Sequence, residues 1–287
     1  MRQIDLTVRA RLPRIRAMTT PLVASVGWTV SHWFYRIDRT RWRALSGEAQ
    51  RAALAEASGW LARAAGEEGL QLVPLAMIGK ADVGFMAVHS DLWRHQQLAQ
   101  ELAATAFGAC LEPVYSFLSL SEASEYMSTD ADWAQTLIGE QQVDPTSPDF
   151  ATKMASFRKR MAHYVEARLH PKLPDNFPIV CFYPMAKSRG ETRNWYSLPF
   201  GERKKLMQEH GESGRKFATR LTQLITTATG VDDWEWGVTL FAGDLKAVRD
   251  VVYEMRFDPG SALYGVFGSF YIGIRFAADE IQSVLRL

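Results

Sequence analysis

Residues 199–230, PFGERKKLMQEHGESGRKFATRLTQLITTATG, carry the pattern on which our interpretation of the whole chain depends. Apolar side chains at steps of three, four or seven positions define one face of a helix, and they include Leu206, Phe217, Leu221 and Leu224. Proline suits the first turn of a helix because its missing N–H is not needed there, and a following glycine is typical of a helix end. The segment therefore predicts one helix that begins after Pro199 and ends at Gly230.

His210 lies on this apolar face, where an imidazole must find a polar partner. Gly211 and Gly214 follow within the next turn, although a glycine weakens a helix by about 1 kcal/mol. We interpret them as space for a flat, bulky group, with Arg215 as a neighbouring cation. A core histidine with a purely structural role is the alternative. The pattern also fits a haem iron ligand, which is a neutral imidazole facing an apolar slot.

The composition limits the classes of function that the chain can have. It has 287 residues, 47% of them hydrophobic, which is enough for one large domain or two domains of ordinary size. A net charge of +1 offers no basis for sequence-independent binding of nucleic acid. Cys110 and Cys181 have no CxxC spacing, which argues against a zinc or disulfide framework and for a reducing, cytoplasmic location. No apolar run reaches 18 residues, so we expect no membrane span.

The N-terminal residues are rich in arginine and contain no apolar stretch, so they do not resemble a secretory signal. We treat residues 1–20 as an arm, and Met18 is an alternative start position.

The rest of the chain repeats itself with an offset of 153 residues. In the first copy, strands are predicted at 27–35, 71–78, 82–89 and 114–120, and helices at 46–65 and 91–108. Asp91 corresponds to Asp244 before the second helix, and Ser116 corresponds to Ser269 in the last strand. The order β-α-β-β-α-β predicts an α+β protein with tandem ferredoxin-like domains. The predicted divisions are an arm at 1–20, a first domain at 21–125, a helical connector at 126–176 and a second domain at 177–287.

The second copy has polar side chains at positions where the first copy has apolar ones. His210 corresponds to Ala57, and Tyr183 corresponds to Val30. We therefore expect the first copy to be structural and the second to contain the functional site. Between them, the sequence FATKMASFRKRMAHYVEARL predicts a basic amphipathic helix, which we interpret as a solvated face.

A second polar group follows a predicted strand in CFYPMAKSR, residues 181–189. We predict that the strand ends at Tyr183, because Pro184 interrupts the ladder. Lys187 and Arg189 come next, and a phenol and two cations at the end of a strand can reach the same space. A surface-exposed strand end without a special role is the alternative.

Several motifs in the same order give the chain a family resemblance. YPMAK, NWYSLPF, MQEHGESGR, WEWGVTLF and YEMRFDPGSALYGVFGSF, together with GWTVSHWFYRID in the first half, resemble the coproheme decarboxylases of the chlorite dismutase superfamily. The resemblance extends from Gly27 to the C-terminus and is strongest over residues 164–273. It implies the tandem ferredoxin-like fold, known as the dimeric α+β barrel.

The resemblance also implies a reaction. The substrate is Fe-coproporphyrin III (coproheme), which serves as its own redox cofactor and reacts with hydrogen peroxide. Propionates 2 and 4 are lost in turn as carbon dioxide, and the product is haem b. A homopentamer and a transient ferrochelatase partner that delivers coproheme are implied as well.

Individual residues match functional positions of the family. His210 matches the axial iron ligand, Tyr183 the tyrosine that forms a radical, and Lys187 the lysine beside the reacting propionate. Further positions expected to contact the porphyrin are Arg168, Pro184, Met185, Ala186, Arg215 and Ser261. The carboxylates of coproheme require cations, for which Arg168, Lys187 and Arg215 are available.

Gln223 distinguishes between the chlorite dismutases and the coproheme decarboxylases of the superfamily. Chlorite dismutases carry a distal arginine at this position, and a neutral glutamine cannot provide its charge. Gln223 therefore favours the decarboxylases, with His170 as a second candidate for the distal group. A chlorite dismutase-type enzyme and a non-catalytic haem carrier or sensor remain the alternatives. Tyr183 separates the enzyme from the carrier, because haem binding alone needs no phenol there.

Overall fold

The computed structural model describes residues 20–287, and of the predicted arm it includes only Thr20. The first half contains β1 Thr29–Ile37, α1 Arg39–Ala44, α2 Gly47–Ala65, β2 Gln71–Ile78, β3 Val83–His89, α3 Leu92–Ala104 and β4 Leu111–Ser121. The connector contains α4 Asp130–Gly139 and α5 Pro148–Leu169. The second half contains β5 Ile179–Lys187, α6 Phe200–Arg215, β6 Leu221–Thr227, β7 Trp236–Ala242, α7 Leu245–Met255, α8 Pro259–Ala262, β8 Gly265–Phe267, β9 Tyr271–Arg275 and α9 Ile281–Leu285.

Within residues 20–287, eight antiparallel strands close into a barrel. The strands of the first half lie in the order β4-β1-β3-β2, and those of the second half in the order β9-β5-β7-β6. Each half thus has the strand order of a ferredoxin-like unit. The pairs β4–β6 and β2–β9 join the two halves into one ring. The predicted α+β fold class is confirmed.

Local signals fix the starts of two helices in the first half. Ser46 caps α2 by accepting a hydrogen bond from the Ala49 N–H, and Asp91 caps α3 through the Trp93 N–H. A side-chain oxygen at this position satisfies an N–H that would otherwise have no partner.

No helix in residues 20–287 is both long enough and apolar enough to span a membrane.

The prediction of one helix over residues 199–230 is wrong in its second half. α6 ends at Arg215, and Leu221–Thr227 form β6, which pairs with β7 along its whole length. The apolar positions Leu221 and Leu224 fit a helical spacing, but the β-branched run that follows them favours a strand. Pairing with a remote strand decides between the two.

The prediction that the strand ends at Tyr183 is also wrong, because β5 continues to Lys187. Pro184 lies between the part of β5 that pairs with β9, up to Phe182, and the part that pairs with β8, from Met185. No ladder hydrogen bond to β8 or β9 is needed at this gap, so the missing N–H is tolerated.

Alternating residues of β5 face two different layers. Cys181 and Tyr183 face outward and pack in a core with Leu240 of β7 and Val251 of α7. Phe182 faces the interior of the barrel, where a second set of buried side chains packs. The outer layer, between the second-half strands and helices α6 and α7, contains the candidate site.

Candidate functional site

His210 is held by a carboxylate on the loop that follows α7. Its Nδ1 lies 3.0 Å from Oδ2 of Asp258 and 3.3 Å from Oγ of Ser261. The other carboxylate oxygen of Asp258 accepts the Ser261 N–H at 2.9 Å and caps α8. Because Asp258 is an acceptor, we assign the proton of the imidazole to Nδ1. Nε2 forms no hydrogen bond with any residue in the range 20–287, so its lone pair is free for a ligand.

Asp258 keeps its negative charge despite its burial. Burial raises the pKa of this carboxyl. The hydrogen bonds with His210 and Ser261 lower it by more, so the pKa is below its ordinary value. The carboxylate therefore fixes both the orientation of the His210 ring and the identity of its protonated nitrogen.

Lys187 reaches the same loop from the end of β5. Its ammonium donates a hydrogen bond to the Gly260 carbonyl at 2.8 Å and lies 4.4 Å from the centre of the Trp195 ring. The residue is only 5% exposed. Burial lowers its pKa to about 8, against the opposing effects of Asp258 and Glu235. His210, Ser261 and Lys187 are thus brought together around α8.

Tyr183 lies on the outer face of β5 and is 6% exposed. Its ring stacks on Phe270 at 4.4 Å and lies 6.0 Å from Phe267. Burial raises the pKa of the phenol, which therefore stays protonated at neutral pH. Its hydroxyl makes no hydrogen bond to another residue of the described chain. The side chain is therefore a neutral, buried phenol with a free O–H.

Gln223 on β6 approaches α6 at Gly214. A Cβ added at Gly214 would lie 3.3 Å from Nε2 of Gln223 and 3.7 Å from Cε of Met255. Glycine at this position therefore allows the helix to approach the strand, and the side-chain amide fills the space that we assigned to a flat group. At Gly211 an added Cβ would meet the guanidinium of Arg215, at 3.4 Å.

The predicted cations other than Lys187 occupy different environments. Arg168, in the last turn of α5, donates from Nη2 to the Ile225 carbonyl at 3.3 Å, and its Nε is buried without a hydrogen-bond partner in the described chain. The side chain of Arg215 is 70% exposed and pairs with Glu212 at 3.7 Å. Arg168 adjoins the strand that carries Gln223, whereas Arg215 lies on the outer surface of α6.

The remaining predicted positions are structural neighbours of Tyr183. Pro184 packs so closely on Gly268 that an added Cβ there would lie 2.7 Å from Cγ of the proline. Met185 lies opposite Phe267 in the ladder with β8 and packs in the outer core, and Ala186 lies opposite Val266.

His170, the second distal candidate, caps the end of α5 and interacts with Glu166 at 2.7 Å. It also lies 5.1 Å from the Trp28 ring.

The sequence interpretation missed three side chains that shape this region: Asp258, Trp195 and Phe270. Asp258 precedes a proline and a glycine, which is a signal for a helix N-cap. That signal predicts α8, but it does not predict that the same carboxylate binds a histidine 48 residues earlier. No local signal identifies Trp195 as the ring beneath Lys187.

The His210–Asp258 pair fits an axial ligand of haem iron. A histidine that binds a metal usually donates its other N–H to a carboxylate, as His210 does to Asp258. No group of three or more His, Cys, Asp or Glu side chains in residues 20–287 could hold a metal ion. Nε2 of His210 can supply one axial ligand to haem iron, because Asp258 engages the other ring nitrogen. The unpartnered Nε of Arg168 is a donor suited to a carboxylate.

Comparison with known proteins gives consistent matches. The family model described as chlorite dismutase matches residues 50–276. Proteins of Halobacterium salinarum and Haloquadratum walsbyi, each named "Putative heme-binding protein", are 36% and 34% identical over 90% and 91% of this chain. These matches cover 49% and 46% of the relatives, so the chain spans about half the length of the curated relatives it matches.

Solved structures show the same fold. A structure described as a novel heme-binding protein from Thermus thermophilus has a TM-score of 0.75 and 35% sequence identity, covering 91% of this chain and 96% of the other. A chlorite dismutase variant from Candidatus Nitrospira defluvii has a TM-score of 0.68, covers 92% of this chain and 97% of its own, and shares 18% identity. The second match bears on the fold alone.

Proposed function

Since this chain belongs to the chlorite dismutase family, we propose that it binds an iron porphyrin through Nε2 of His210 and decarboxylates it. The proposed reaction converts coproheme to haem b by oxidative loss of propionates 2 and 4, with hydrogen peroxide as the oxidant. The observation that carries the proposal is the His210–Asp258 hydrogen bond of 3.0 Å, which leaves Nε2 as the free nitrogen.

The cations support a substrate with several carboxylates. Arg168 has a buried Nε without a partner in the described chain, and a propionate would satisfy it. Lys187 is bound to the Gly260 carbonyl, so it must exchange this bond in order to reach a propionate. The lowered pKa of Lys187 suits that exchange, because a lysine near neutrality can hold or release a proton. Arg215, exposed on the outer surface, has room for a propionate that extends into solvent.

Tyr183 supplies the group that a simple haem carrier does not need. Peroxide and the bound iron porphyrin supply the oxidising equivalents. Conversion of one propionate to a vinyl group releases carbon dioxide, one proton and two electrons. Reduction of one peroxide to two water molecules consumes these two electrons, this proton and a second proton from solvent. In this proposal the phenol of Tyr183, which is buried and stacked on Phe270, gives up one electron and its proton and then takes them back from the propionate side chain.

The distal side favours this reaction over chlorite chemistry. Gln223 is neutral, so at the distal position that the family resemblance gives it, it would present an amide and no cation. Its amide lies near Gly214 of α6, so it would have to move to admit a porphyrin beside that helix. Met185, Pro184, Ala186 and Ser261 would then form the wall and the base of the pocket. Haem storage or delivery without turnover is the second candidate, and it is favoured by relatives that are named as heme-binding proteins.

The experiment is to load the protein with coproheme, add peroxide stepwise and follow the porphyrins by mass spectrometry. Tyr183→Phe keeps the ring and its stack on Phe270 but lacks the O–H. We expect it to bind coproheme with near-normal affinity and to form neither the three-propionate intermediate nor haem b. Tyr196→Phe is the matched control, since Tyr196 is half exposed. Normal conversion by Tyr183→Phe would refute the proposal.

We also infer that the reaction takes place in the cytoplasm, since both cysteines are buried and unbridged.

We further propose that the protein forms a homopentamer and receives coproheme from a ferrochelatase. Mass photometry of the full chain would test the oligomeric state.

A further inference from the structure

Two pairs of consecutive aromatic residues connect the candidate site to the interior of the barrel. Phe182 and Tyr183 follow each other on β5, and Phe270 directly precedes Tyr271, the first residue of β9. On the outer face, Tyr183 stacks on Phe270 at 4.4 Å. On the inner face, Phe182 and Tyr271 lie directly opposite each other in the ladder between β5 and β9. The position of each outer ring is therefore tied to an inner ring one residue away.

The inner rings are held by aromatic side chains of the first half. Phe182 stacks on His32 of β1, with 4.1 Å between ring centres, and contacts Phe117 of β4 at 5.2 Å. Tyr271 stacks on Phe34 of β1 at 4.4 Å, with the two rings almost parallel. The first half thus packs against the side of the sheet opposite Tyr183, even though none of these rings faces the candidate site.

His32 differs from its aromatic neighbours because it also forms a hydrogen bond. Its Nε2 lies 2.9 Å from Oγ1 of Thr239, which is the residue of β7 directly opposite Phe182. The residue is 1% exposed, and its Nδ1 has no partner in the described chain. An unsatisfied buried nitrogen costs free energy that a phenylalanine or leucine would avoid. Packing alone therefore does not explain an imidazole here, whereas a directional bond to β7 does.

We propose that His32 is a positioning residue for Tyr183: by holding Phe182 and Thr239 from inside the barrel, it sets the backbone of β5 and the angle at which the Tyr183 ring meets Phe270. The effect on chemistry rests on the proposed function, because only a reacting phenol needs its angle controlled. The effect of His32 on the position of the Tyr183 ring does not depend on that function, and it can be tested on the apoprotein. The proposal gives the first half a role in the site that the comparison of the two copies did not predict.

The test uses protein labelled with 3-fluorotyrosine and ¹⁹F NMR of the full chain without porphyrin. The Tyr183 resonance is assigned by its absence in Tyr183→Phe. His32→Phe keeps a ring on Phe182 and removes the bond to Thr239, and Thr239→Val removes the same bond from the other end. We expect both variants to move the Tyr183 resonance by more than its linewidth.

Ser31→Ala is the matched control. Ser31 precedes His32 on β1, faces the other side of the sheet and hydrogen-bonds a different buried histidine, His95, at 2.6 Å. The Ser31→Ala substitution therefore removes the hydroxyl partner of a buried histidine without changing a residue that contacts Phe182. We expect the Tyr183 resonance to stay in place while thermal unfolding shows a loss of stability similar to that of Thr239→Val. An unmoved Tyr183 resonance in both His32→Phe and Thr239→Val, or an equal movement in Ser31→Ala, would overturn the proposal.

A second measurement separates this proposal from the proposed function. Freeze-quenched samples with coproheme and peroxide are examined by electron paramagnetic resonance, since the splitting from the Cβ protons of a tyrosyl radical depends on the ring angle. A changed splitting in His32→Phe supports the positioning role. A wild-type radical signal that survives Tyr183→Phe would refute the function of Tyr183, while the ¹⁹F result still decides the role of His32.

Discussion

Replacing Asp258 with asparagine should weaken iron porphyrin binding through the tautomer of His210. The Asp258 side chain is 4% exposed, and its two oxygens accept hydrogen bonds from His210 at 3.0 Å and from the Ser261 N–H at 2.9 Å. An asparagine has one oxygen. If this oxygen keeps capping α8, the amide NH₂ faces Nδ1 of His210, which must then act as an acceptor. The proton moves to Nε2, the nitrogen that the iron needs.

The size of the effect follows from the partners that are lost. Removing a carboxylate partner of a metal-binding histidine costs about 10- to 100-fold in affinity, which corresponds to about 1.4–2.7 kcal/mol. The fold should lose less than about 1 kcal/mol, because asparagine is as good an N-cap as aspartate. The variant therefore separates an effect on the ligand from an effect on folding.

The assay is a titration of the apoprotein with ferric coproheme, followed by absorbance, with the Fe–N(His) band recorded by resonance Raman. Asp244→Asn is the control, because Asp244 caps α7 through the Ala247 N–H at 2.8 Å and does not contact His210. We expect normal binding in the control and a weakened or absent Fe–N(His) band in Asp258→Asn. Wild-type affinity and an unchanged band in Asp258→Asn would refute the tautomer argument.

Three other substitutions test the site. His210→Ala should keep the fold but lose the five-coordinate spectrum of histidine-ligated iron, and an unchanged Fe–N(His) band would contradict the assignment. Gln223→Arg should produce weak oxygen release from chlorite, measured with an oxygen electrode, where the wild type shows little; rapid release by the wild type would count against a decarboxylase. Burial lowers the pKa of Lys187 from 10.5 to about 8, so between these values the unfolded chain binds more protons and stability rises with pH. Lys187→Met should flatten this rise in urea unfolding curves, and an unchanged slope would mean that another group causes it.

The order of strands and helices along the chain in each half and most element boundaries follow from local patterns in the sequence. β2 has the predicted bounds, Gln71–Ile78, and α3 begins at Leu92, next to the predicted start at Asp91. Such features depend on residues within one turn or one strand, where periodicity and capping chemistry act directly. The family resemblance, carried by several motifs, identified His210 and Tyr183 as candidates before any distance was known.

Two wrong predictions in the second half have a common cause. The sequence patterns predict a helix over Leu221–Thr227 and a strand that ends at Tyr183, whereas Leu221–Thr227 form β6 and β5 continues to Lys187. In both cases strands that are remote in sequence decide the outcome. Pairing with β7 makes Leu221–Thr227 a strand, and β5 continues past Pro184 because this residue lies between the segments that pair with β9 and β8. Apolar spacing over a few residues does not contain that information, because pairing energy comes from the neighbouring strand.

By itself, the sequence determined the repeated α+β units, the apolar layers and the chemical types of the candidate residues, since these depend on composition and on contacts between near neighbours. Only the tertiary structure decided that Asp258 holds His210 and that His32 supports the strand of Tyr183 from within the barrel. The physical reason is closure of the sheet. The pairs β4–β6 and β2–β9 bring side chains that are remote in sequence, such as His32 and Phe182, into contact, and the distance between two atoms across such a ring depends on the packing of every strand between them.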